Sequence, residues 1–159
     1  MARKQSAGVI LYRFGSAGLE VFLVHPGGPF WTRRDDGAWS IPKGEFADPE
    51  AAEDAARREF AEETGLALTA PLTPLQPIAQ SRAKTIHPFA AHADFDPAQL
   101  RSNLFEMEWP PRSGRMATFP EVDRAAWFSI EEAQRKIIAG QAPILGSLHA
   151  LLCHDTGAK

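Results

Sequence analysis

The chain lacks the usual sequence features of membrane proteins, disulfide-linked proteins and proteins that coat nucleic acids. It has a single cysteine, Cys153, so no internal disulfide can form, which agrees with a reducing compartment. No apolar run approaches the roughly 18 residues that a membrane span needs. The 17 basic residues do not outnumber the 20 acidic ones, and the net charge is −3. We therefore expect a cytoplasmic protein that has neither a membrane segment nor a DNA partner.

Little in the composition suggests more than one folding unit. The 159 residues are 44% hydrophobic and 23% charged, close to the average of folded domains. No internal repeat, low-complexity tract or linker interrupts them. Since this length is enough to bury a core, the sequence predicts a single domain over residues 1–159.

Strand-like and helix-like segments alternate along the chain. The first two strands, 6–14 and 19–25, are apolar runs joined by a turn of glycine, serine and alanine, which predicts a β-hairpin. Further strands are predicted at 39–41, 78–82, 84–92, 104–109 and 124–128, and helices at 49–64, from Ser129 to about Ala139, and from Pro143 onward. The alternation of strands with two or three helices predicts an α/β fold with a mixed sheet.

The helix predicted at 49–64 has signals at both ends. Asp48 is a good N-cap, Pro49 suits the first helical position, and Gly65 suits the C-terminal cap. On a helical wheel, the face expected to be solvated carries Glu50, Glu53, Asp54, Arg57, Ala61 and Thr64. The opposite face begins with small residues suited to packing on a sheet, Ala52, Ala55 and Ala56, and continues with three acids, Glu59, Glu62 and Glu63.

Those three glutamates repel one another and lie near the helix C-terminus, which disfavours negative charge. Each exposed pair costs roughly 0.2–0.5 kcal/mol, and more as the dielectric constant falls. A cation such as Mg²⁺ or Mn²⁺ would neutralise the cluster, because hard ions prefer carboxylate oxygens. Arg58 lies four residues before Glu62 and is expected to pair with it. A solvated acidic patch without a bound ion is the alternative that helix geometry alone leaves open.

The spacing of these residues resembles the Nudix box. Every defined position of that motif is matched by Gly44, five residues, Glu50, seven residues, Arg58-Glu59-Phe60, one residue, Glu62-Glu63, one residue and Gly65-Leu66. Such a match arises by chance at about one in a billion starting positions. The resemblance implies a Nudix hydrolase with an α/β/α sandwich, a mixed β-sheet and a catalytic helix at about 49–64.

Resemblance to this family implies Mg²⁺-dependent hydrolysis of a nucleoside diphosphate linked to another group, with water attacking phosphorus. Mn²⁺ is the alternative metal. The metal ligands so implied are the carboxylates of Glu59, Glu62 and Glu63 and the backbone carbonyl of Lys43. Catalysis is assigned to the same three acids together with Arg58, which would orient them. The residues that would maintain the backbone geometry of the motif are Gly44, Glu50 and Gly65.

Residues outside the box provide the candidates for substrate binding. Phosphate contacts are expected from Arg33, Arg34 and Lys43. The candidate aromatic contacts with a base are Phe30, Trp31, Trp39 and Trp109. Because some family members use a glutamate from a later strand or loop as the base, Glu106 and Glu108 are candidates, and strand alternation places both on one face. For each of these residues the alternative is a packing or solvent-facing role.

The residues around the box leave several substrates open. Pro42-Lys43-Gly44 resembles the approach to the box in Nudix proteins that act on dinucleoside polyphosphates or diphosphoinositol phosphates, which favours a dinucleoside polyphosphate. Ala83 stands where such hydrolases often have tyrosine, and Ser81-Arg82 where many ADP-ribose hydrolases have proline. Nucleoside triphosphates, nucleotide sugars and inositol pyrophosphates are alternative substrates. A nucleotide-sensing domain without catalysis is the alternative class, and a monomer or homodimer is expected.

Overall fold

The described part of the chain, residues 3–157 of a computed structural model, forms nine strands and three α-helices. The strands are β1 (Lys4–Gly15), β2 (Gly18–Pro26), β3 (Lys43–Phe46), β4 (Thr73–Pro74), β5 (Ile78–Ala79), β6 (Lys84–His92), β7 (Leu104–Glu108), β8 (Met116–Pro120) and β9 (Val122–Ser129). The helices are α1 (Ala52–Thr64), α2 (Ile130–Lys136) and α3 (Ala142–Gly157). None of the described helices is both long and apolar enough to cross a membrane.

Seven of the strands form one mixed sheet around β1. The order is β4-β6-β1-β2-β9, with β3 paired to β1 and β5 paired to β6. Strand β1 runs parallel to β6 and antiparallel to β2 and β3. The remaining two strands, β7 and β8, form a separate antiparallel ribbon. The predicted mixed sheet is therefore confirmed.

Helices cover both faces of this sheet. In β1 successive side chains point to opposite faces, so Val9 and Leu11 pack in one layer with α1, while Ile10 packs in the other with α2 and α3. Burial on both sides explains why this strand is an uninterrupted apolar run. The predicted α/β/α sandwich is the observed architecture.

The catalytic helix predicted at 49–64 begins three residues later than expected. Its N-cap is Ala51, so the prediction of Asp48 as N-cap and Pro49 as first helical residue is wrong. The Glu50 amide donates to the Ala47 carbonyl at 3.1 Å, and Arg58 binds the Glu50 carboxylate, so this segment forms a turn instead of a helical first turn. The end of the helix is as predicted.

Two residues define that helix end. Gly65 has φ 82° and donates its amide hydrogen to the Ala61 carbonyl at 2.8 Å, which is the predicted cap. Thr64, expected on the solvated face, is fully buried. Its hydroxyl donates to the Phe60 carbonyl at 2.7 Å, and its own carbonyl accepts from the Arg101 amide at 2.9 Å. The chain around Arg101 therefore covers the C-terminus of α1, which a wheel of one helix does not represent.

Other elements differ from the sequence prediction mainly where pairing partners are distant. Residues 39–41 form only isolated bridges, Val24 with Ser40 and Trp39 with Ile137. Strands β3, β4 and β8 were not predicted, and the strand predicted at 78–82 is limited to Ile78–Ala79. In β3, whose sequence is Lys-Gly-Glu-Phe, pairing with β1 outweighs weak local strand propensity.

The predicted cap of α2 is confirmed, since the Ser129 hydroxyl accepts from the Glu132 amide at 3.2 Å. The helix ends at Lys136, before the predicted end at Ala139.

Phe60 anchors α1 to the sheet, and its truncation provides a test of this packing. The side chain is fully buried and its ring centroid lies 6.4 Å from that of Phe22. We expect Phe60→Ala to lower the free energy of unfolding by about 3–5 kcal/mol, because it leaves a cavity in the layer below α1. Chemical denaturation measures the loss. The matched control is Phe14→Ala, whose ring is 62% exposed; equal losses in both variants would contradict the packing.

Candidate active site

Arg58 connects the acids of the motif to the turn before α1. Its Nε and Nη2 donate to the two carboxylate oxygens of Glu50 at 2.8 and 3.0 Å. Its Nη1 donates to Glu59 at 2.8 Å and to Glu62 at 3.3 Å, and Nη2 also reaches the Glu45 carbonyl at 3.3 Å. The Glu50 contact is the main reason that the pKa of the Arg58 guanidinium is raised, and the same contact lowers the pKa of Glu50. The predicted pair of Arg58 with Glu62 is present as one part of this network.

The acids on the packing face of α1 are withdrawn from water to different degrees. Glu59 is only 8% exposed, and burial raises the pKa of its carboxyl, while the Arg58 hydrogen bond opposes the rise. Burial raises the pKa of Glu63 to about 8 against the opposing charge of Lys43. Burial also lowers the pKa of the Lys43 ammonium group. Burial first, and then the charges of neighbouring glutamates, disfavour the ionised form of these carboxyls, and a bound cation would favour it.

Strand β3 brings the backbone against these acids. The Lys43 amide donates to Glu63 Oε1 at 3.3 Å. A Cβ at Gly44 would overlap the Glu59 carboxylate, so glycine at this position lets the carboxylate lie directly against β3. Because Gly44 also pairs with Ala7 of β1, it holds this part of the site on the central sheet.

The structure adds Glu121, between β8 and β9, to the acids of the box. Its charge contributes to the raised pKa of both Glu59 and Glu63, and its own pKa is raised, first by burial and then by the charge of Glu62. Sequence reasoning looked for a later glutamate but selected Glu106 and Glu108. The available signal was the position of Glu121 in a Pro-Glu-Val-Asp segment directly before the strand predicted at 124–128.

Main-chain hydrogen bonds tie Glu121 to the catalytic helix. The Asn103 amide donates to the Glu62 carbonyl at 2.8 Å, and the Asn103 carbonyl accepts from the Glu121 amide at 2.8 Å. The Glu121 carbonyl in turn accepts from the Gly27 amide at 2.9 Å. One residue thus links the end of α1 to the segment that carries the fourth acid.

The two glutamates predicted on β7 lie on one exposed face of the ribbon, as strand alternation required. The Glu108 carboxylate accepts from the amides of Arg112 and Gly114 at 3.0 and 3.1 Å, so it closes the turn to β8. Within the part of the chain that the structure describes, neither Glu106 nor Glu108 hydrogen-bonds or pairs with the box residues. The structure brings Glu121 to the acids instead of these two.

A cavity of about 190 Å³ adjoins the acids. The charged residues in its lining are Lys43, Glu63 and Glu121. The rest of the lining is apolar or carries neutral polar groups, and comprises Val24, Pro26, Trp31, Ala38, Ser40, Gln80, Val122, Ile138 and Gln141. A lining that includes both charged and flat apolar groups suits a nucleotide, whose phosphates and base differ in the same way.

The other predicted substrate contacts are distributed around this cavity. Trp31 lines it, and the Arg34 guanidinium lies 5.4 Å from the centroid of the Trp31 ring, while Arg33 is exposed. Trp39 is only 4% exposed, donates its indole hydrogen to Asp35 at 2.8 Å and does not line the cavity. Phe30 and Trp109 contact each other edge to face with centroids 5.3 Å apart. The sequence-predicted aromatic that reaches the cavity is therefore Trp31.

These features agree with the family comparison. The model of the NUDIX domain matches residues 2–148. The chain belongs to the Nudix family. A complete box and this membership support the predicted enzyme class, a Nudix pyrophosphohydrolase. No curated protein sequence matches the chain at a significant level.

Several solved structures share the Nudix fold with low sequence identity. A Listeria innocua mutT/nudix family protein is 18% identical, with a TM-score of 0.68, and the match covers 100% of this chain and 99% of that one. The NUDIX domain of Shewanella oneidensis NrtR, complexed with ADP ribose, is 16% identical, with a TM-score of 0.67 and coverages of 96% and 90%. A C. elegans Ap4A hydrolase in a binary complex is 20% identical, with a TM-score of 0.64 and coverages of 95% and 98%.

Nudix hydrolases generally use divalent metal ions, and the donor chemistry here fits one. Four carboxylates interact electrostatically, and hard cations prefer oxygen ligands of this kind. Across the described residues, however, no three such groups converge on one point. Arg58 holds Glu59 and Glu62 in these positions, so their carboxylates would have to rotate away from the guanidinium to share a cation.

The raised pKa of Glu63 predicts how stability depends on pH. Between its ordinary value of 4.5 and about 8, the folded chain retains a proton that the unfolded chain has lost, so stability falls as pH rises through this range. Glu63→Gln removes this titration. In metal-free protein, the free energy of unfolding of Glu63→Gln minus that of wild type should therefore increase from pH 5 to 8. Above about pH 8 this difference should stay constant. Denaturation at a series of pH values measures this difference.

The control for that experiment is Glu53→Gln, which removes an exposed carboxylate from the same helix. Its difference from wild type should stay flat across the same pH range. A Glu63→Gln difference that is also independent of pH would contradict the burial of a protonated carboxyl.

Proposed function

We propose that the chain hydrolyses a pyrophosphate bond in a nucleoside diphosphate linked to another group, with Mg²⁺ as its metal and Mn²⁺ as the alternative. The observation that carries this proposal is that Lys43, Glu63 and Glu121 all belong to the wall of the cavity beside α1. A polyphosphate resists attack by water because it is anionic, so its hydrolysis needs positive charge near the phosphoryl oxygens and a base near the water. Both requirements have candidates on this wall.

The metal-binding residues in this proposal are Glu59, Glu62, Glu63 and the Lys43 carbonyl. Bound Mg²⁺ would supply positive charge for the phosphoryl oxygens and help to activate the attacking water. The Lys43 ammonium group adds a second positive charge at the cavity wall. Arg58 positions the acids through Glu50 and is not among the cavity-lining residues.

The general base in this proposal is Glu121. It lines the cavity, and its raised pKa makes it a stronger proton acceptor than an ordinary carboxylate. It is also not engaged by Arg58, whose hydrogen bonds go to Glu45, Glu50, Glu59 and Glu62. Glu106 and Glu108 are assigned to the ribbon and not to the reaction.

A dinucleoside polyphosphate is the substrate class that we favour. The approach Pro42-Lys43-Gly44 supports it, and an Ap4A hydrolase is among the proteins with this fold. The ADP-ribose complex of another neighbour makes a nucleotide sugar the next candidate. The complete set of box acids favours catalysis over nucleotide sensing alone. The cytoplasmic location, the monomeric or homodimeric state and the absence of a DNA partner stay predictions.

Product analysis tests the reaction. The purified protein is incubated with Mg²⁺ and with dinucleoside tetraphosphates, nucleoside triphosphates, ADP-ribose or inositol pyrophosphates. We expect Mg²⁺-dependent cleavage of a dinucleoside polyphosphate, and a loss of turnover by about 10²-fold or more in Glu63→Gln. Glu53→Gln is the matched control and should retain turnover. Binding of nucleotides without cleavage of any compound would instead favour the sensing function.

Exchange of the later glutamates tests the assignment of the base. We expect Glu121→Gln to lower kcat by about 10²–10⁴-fold and to remove the acidic limb of the kcat–pH profile, because no carboxylate would remain to accept the proton. Glu106→Gln should leave kcat and its pH profile near those of wild type. The reverse pattern would assign the general base to Glu106 instead of Glu121.

A further inference from the structure

The cavity next to the acids has a connected set of neutral polar side chains in its wall. Gln141 is fully buried, and its Oε1 accepts from the Ile41 amide at 3.0 Å. Its Nε2 donates to the Ser40 hydroxyl at 2.9 Å and to Gln80 Oε1 at 3.2 Å. Both hydrogens of the Gln141 amide are therefore used inside the protein.

The direction of each hydrogen bond in this set is determined by the backbone. A main-chain N–H can only donate, so Gln141 must turn its oxygen to Ile41 and its nitrogen to the other side. The Ser40 hydroxyl uses its hydrogen on the Ile41 carbonyl at 2.7 Å, so toward Gln141 it can only accept. Both constraints require the same orientation of the Gln141 amide. Gln80 consequently receives a donor and must present its oxygen to it.

This leaves the Gln80 nitrogen for the cavity. Within residues 3–153, Gln80 Nε2 has no protein acceptor. Every buried side-chain nitrogen of the described residues has a partner, so this nitrogen is accessible at the protein surface or in the cavity. Since Gln80 lines the cavity and is partly exposed, its two N–H groups are available as donors to an occupant of the cavity.

The backbone of Gln80 is held in place as well. Its amide donates to the Lys84 carbonyl at 3.0 Å. A Cβ at Gly140 would overlap the Gln80 carbonyl, so glycine at this position allows the two segments to touch. The backbone of Gln80 is thus fixed in position, and its contact with Gln141 sets the polarity of the side-chain amide.

We propose that Gln80 determines base specificity by donating to the nucleobase in this cavity, and that it favours guanine over adenine. Glutamine reads adenine by accepting from N6 and donating to N7, which needs both ends of its amide. Here the oxygen already accepts from Gln141, so the adenine amino group would have to share it through its second lone pair. The O6 and N7 atoms of guanine are both acceptors and match two N–H donors. The inference rests on the proposed function in that it takes the occupant to be a nucleotide.

The neighbouring lining residues are compatible with a flat base. Trp31 provides an aromatic surface, and Val24 and Ile138 add apolar contacts in the same cavity. Lys43, Glu63 and Glu121 line it too, so a base near Gln80 would have its phosphates on the side of the acids. Base selection and phosphate chemistry thereby belong to one continuous site.

The test compares kcat/KM for diguanosine and diadenosine tetraphosphate. We expect wild type to prefer the guanine compound by about tenfold or more. Gln80→Glu replaces the donors with acceptors and should reduce this ratio by at least about tenfold, while Gln80→Met, which has no donor, should bring it close to one. A ratio is compared because the added charge of Gln80→Glu slows both reactions together. The control Gln76→Glu makes the same charge change at an exposed position in the same segment and should leave the ratio unaltered.

Equilibrium binding of GMP and AMP without metal separates this inference from the proposed hydrolysis. If no compound is hydrolysed but GMP binds more tightly than AMP and Gln80→Glu reverses that order, the base assignment holds and the hydrolase proposal fails. If hydrolysis occurs with a wild-type ratio near one, or with a ratio that Gln80 variants do not change, the base assignment is overturned and the hydrolase proposal stands. Absence of both hydrolysis and discrimination overturns both.

Discussion

The guanidinium of Arg58 is the group on which the arrangement of the acids depends. One face of a single helix presents Glu59 and Glu62, and the repulsion between them is greatest where water is excluded. Arg58 contacts both and anchors itself on Glu50 through a bidentate pair. The same guanidinium therefore neutralises the acids and fixes the turn before α1. Because Glu50 is drawn to Arg58, the helix begins at Ala52 and the residues before it connect to β3.

Close packing of α1 on the sheet is the second condition for the site. Ala55 and Ala56 are fully buried on the side of α1 that faces the sheet, and Gly44 has no side chain where Glu59 approaches. Larger residues at these positions would lift the helix and separate its acids from the cavity. Small residues therefore serve the chemistry indirectly, by allowing a charged helix face to lie against a strand.

The parts of the site that could be predicted from the sequence are those encoded within one short segment. The box residues from Gly44 to Gly65 are close along the chain, so their spacing alone predicted a shared helix face and the pair of Arg58 with Glu62. Glu121 could not be selected in this way, because its position depends on the bridge that Asn103 forms between α1 and β9. The contact of Gln80 with Gln141 spans 61 residues and leaves no local signal at all.

The same distinction explains the fold predictions. The long apolar strands and the sandwich were predictable because a two-sided hydrophobic run must be covered by two layers. Strand β3 was not, since Lys-Gly-Glu-Phe becomes a strand only through its pairing with β1. Burial of Thr64 and of Trp39 likewise follows from segments distant in sequence that cover them, as the Arg101 amide shows for Thr64.

Residues 41–43 contact both neutral and acidic side chains of the cavity lining. The Ile41 amide sets the polarity of Gln141 and through it that of Gln80, while two residues later the Lys43 amide donates to Glu63. One short segment therefore contacts both a neutral and an acidic side chain of the cavity lining. Any movement of this segment would displace the donor for the base and the acid near the phosphates together. Under the proposed function, residues 41–43 would therefore couple recognition of the base to alignment of the phosphates, because their amides contact Gln141 and Glu63.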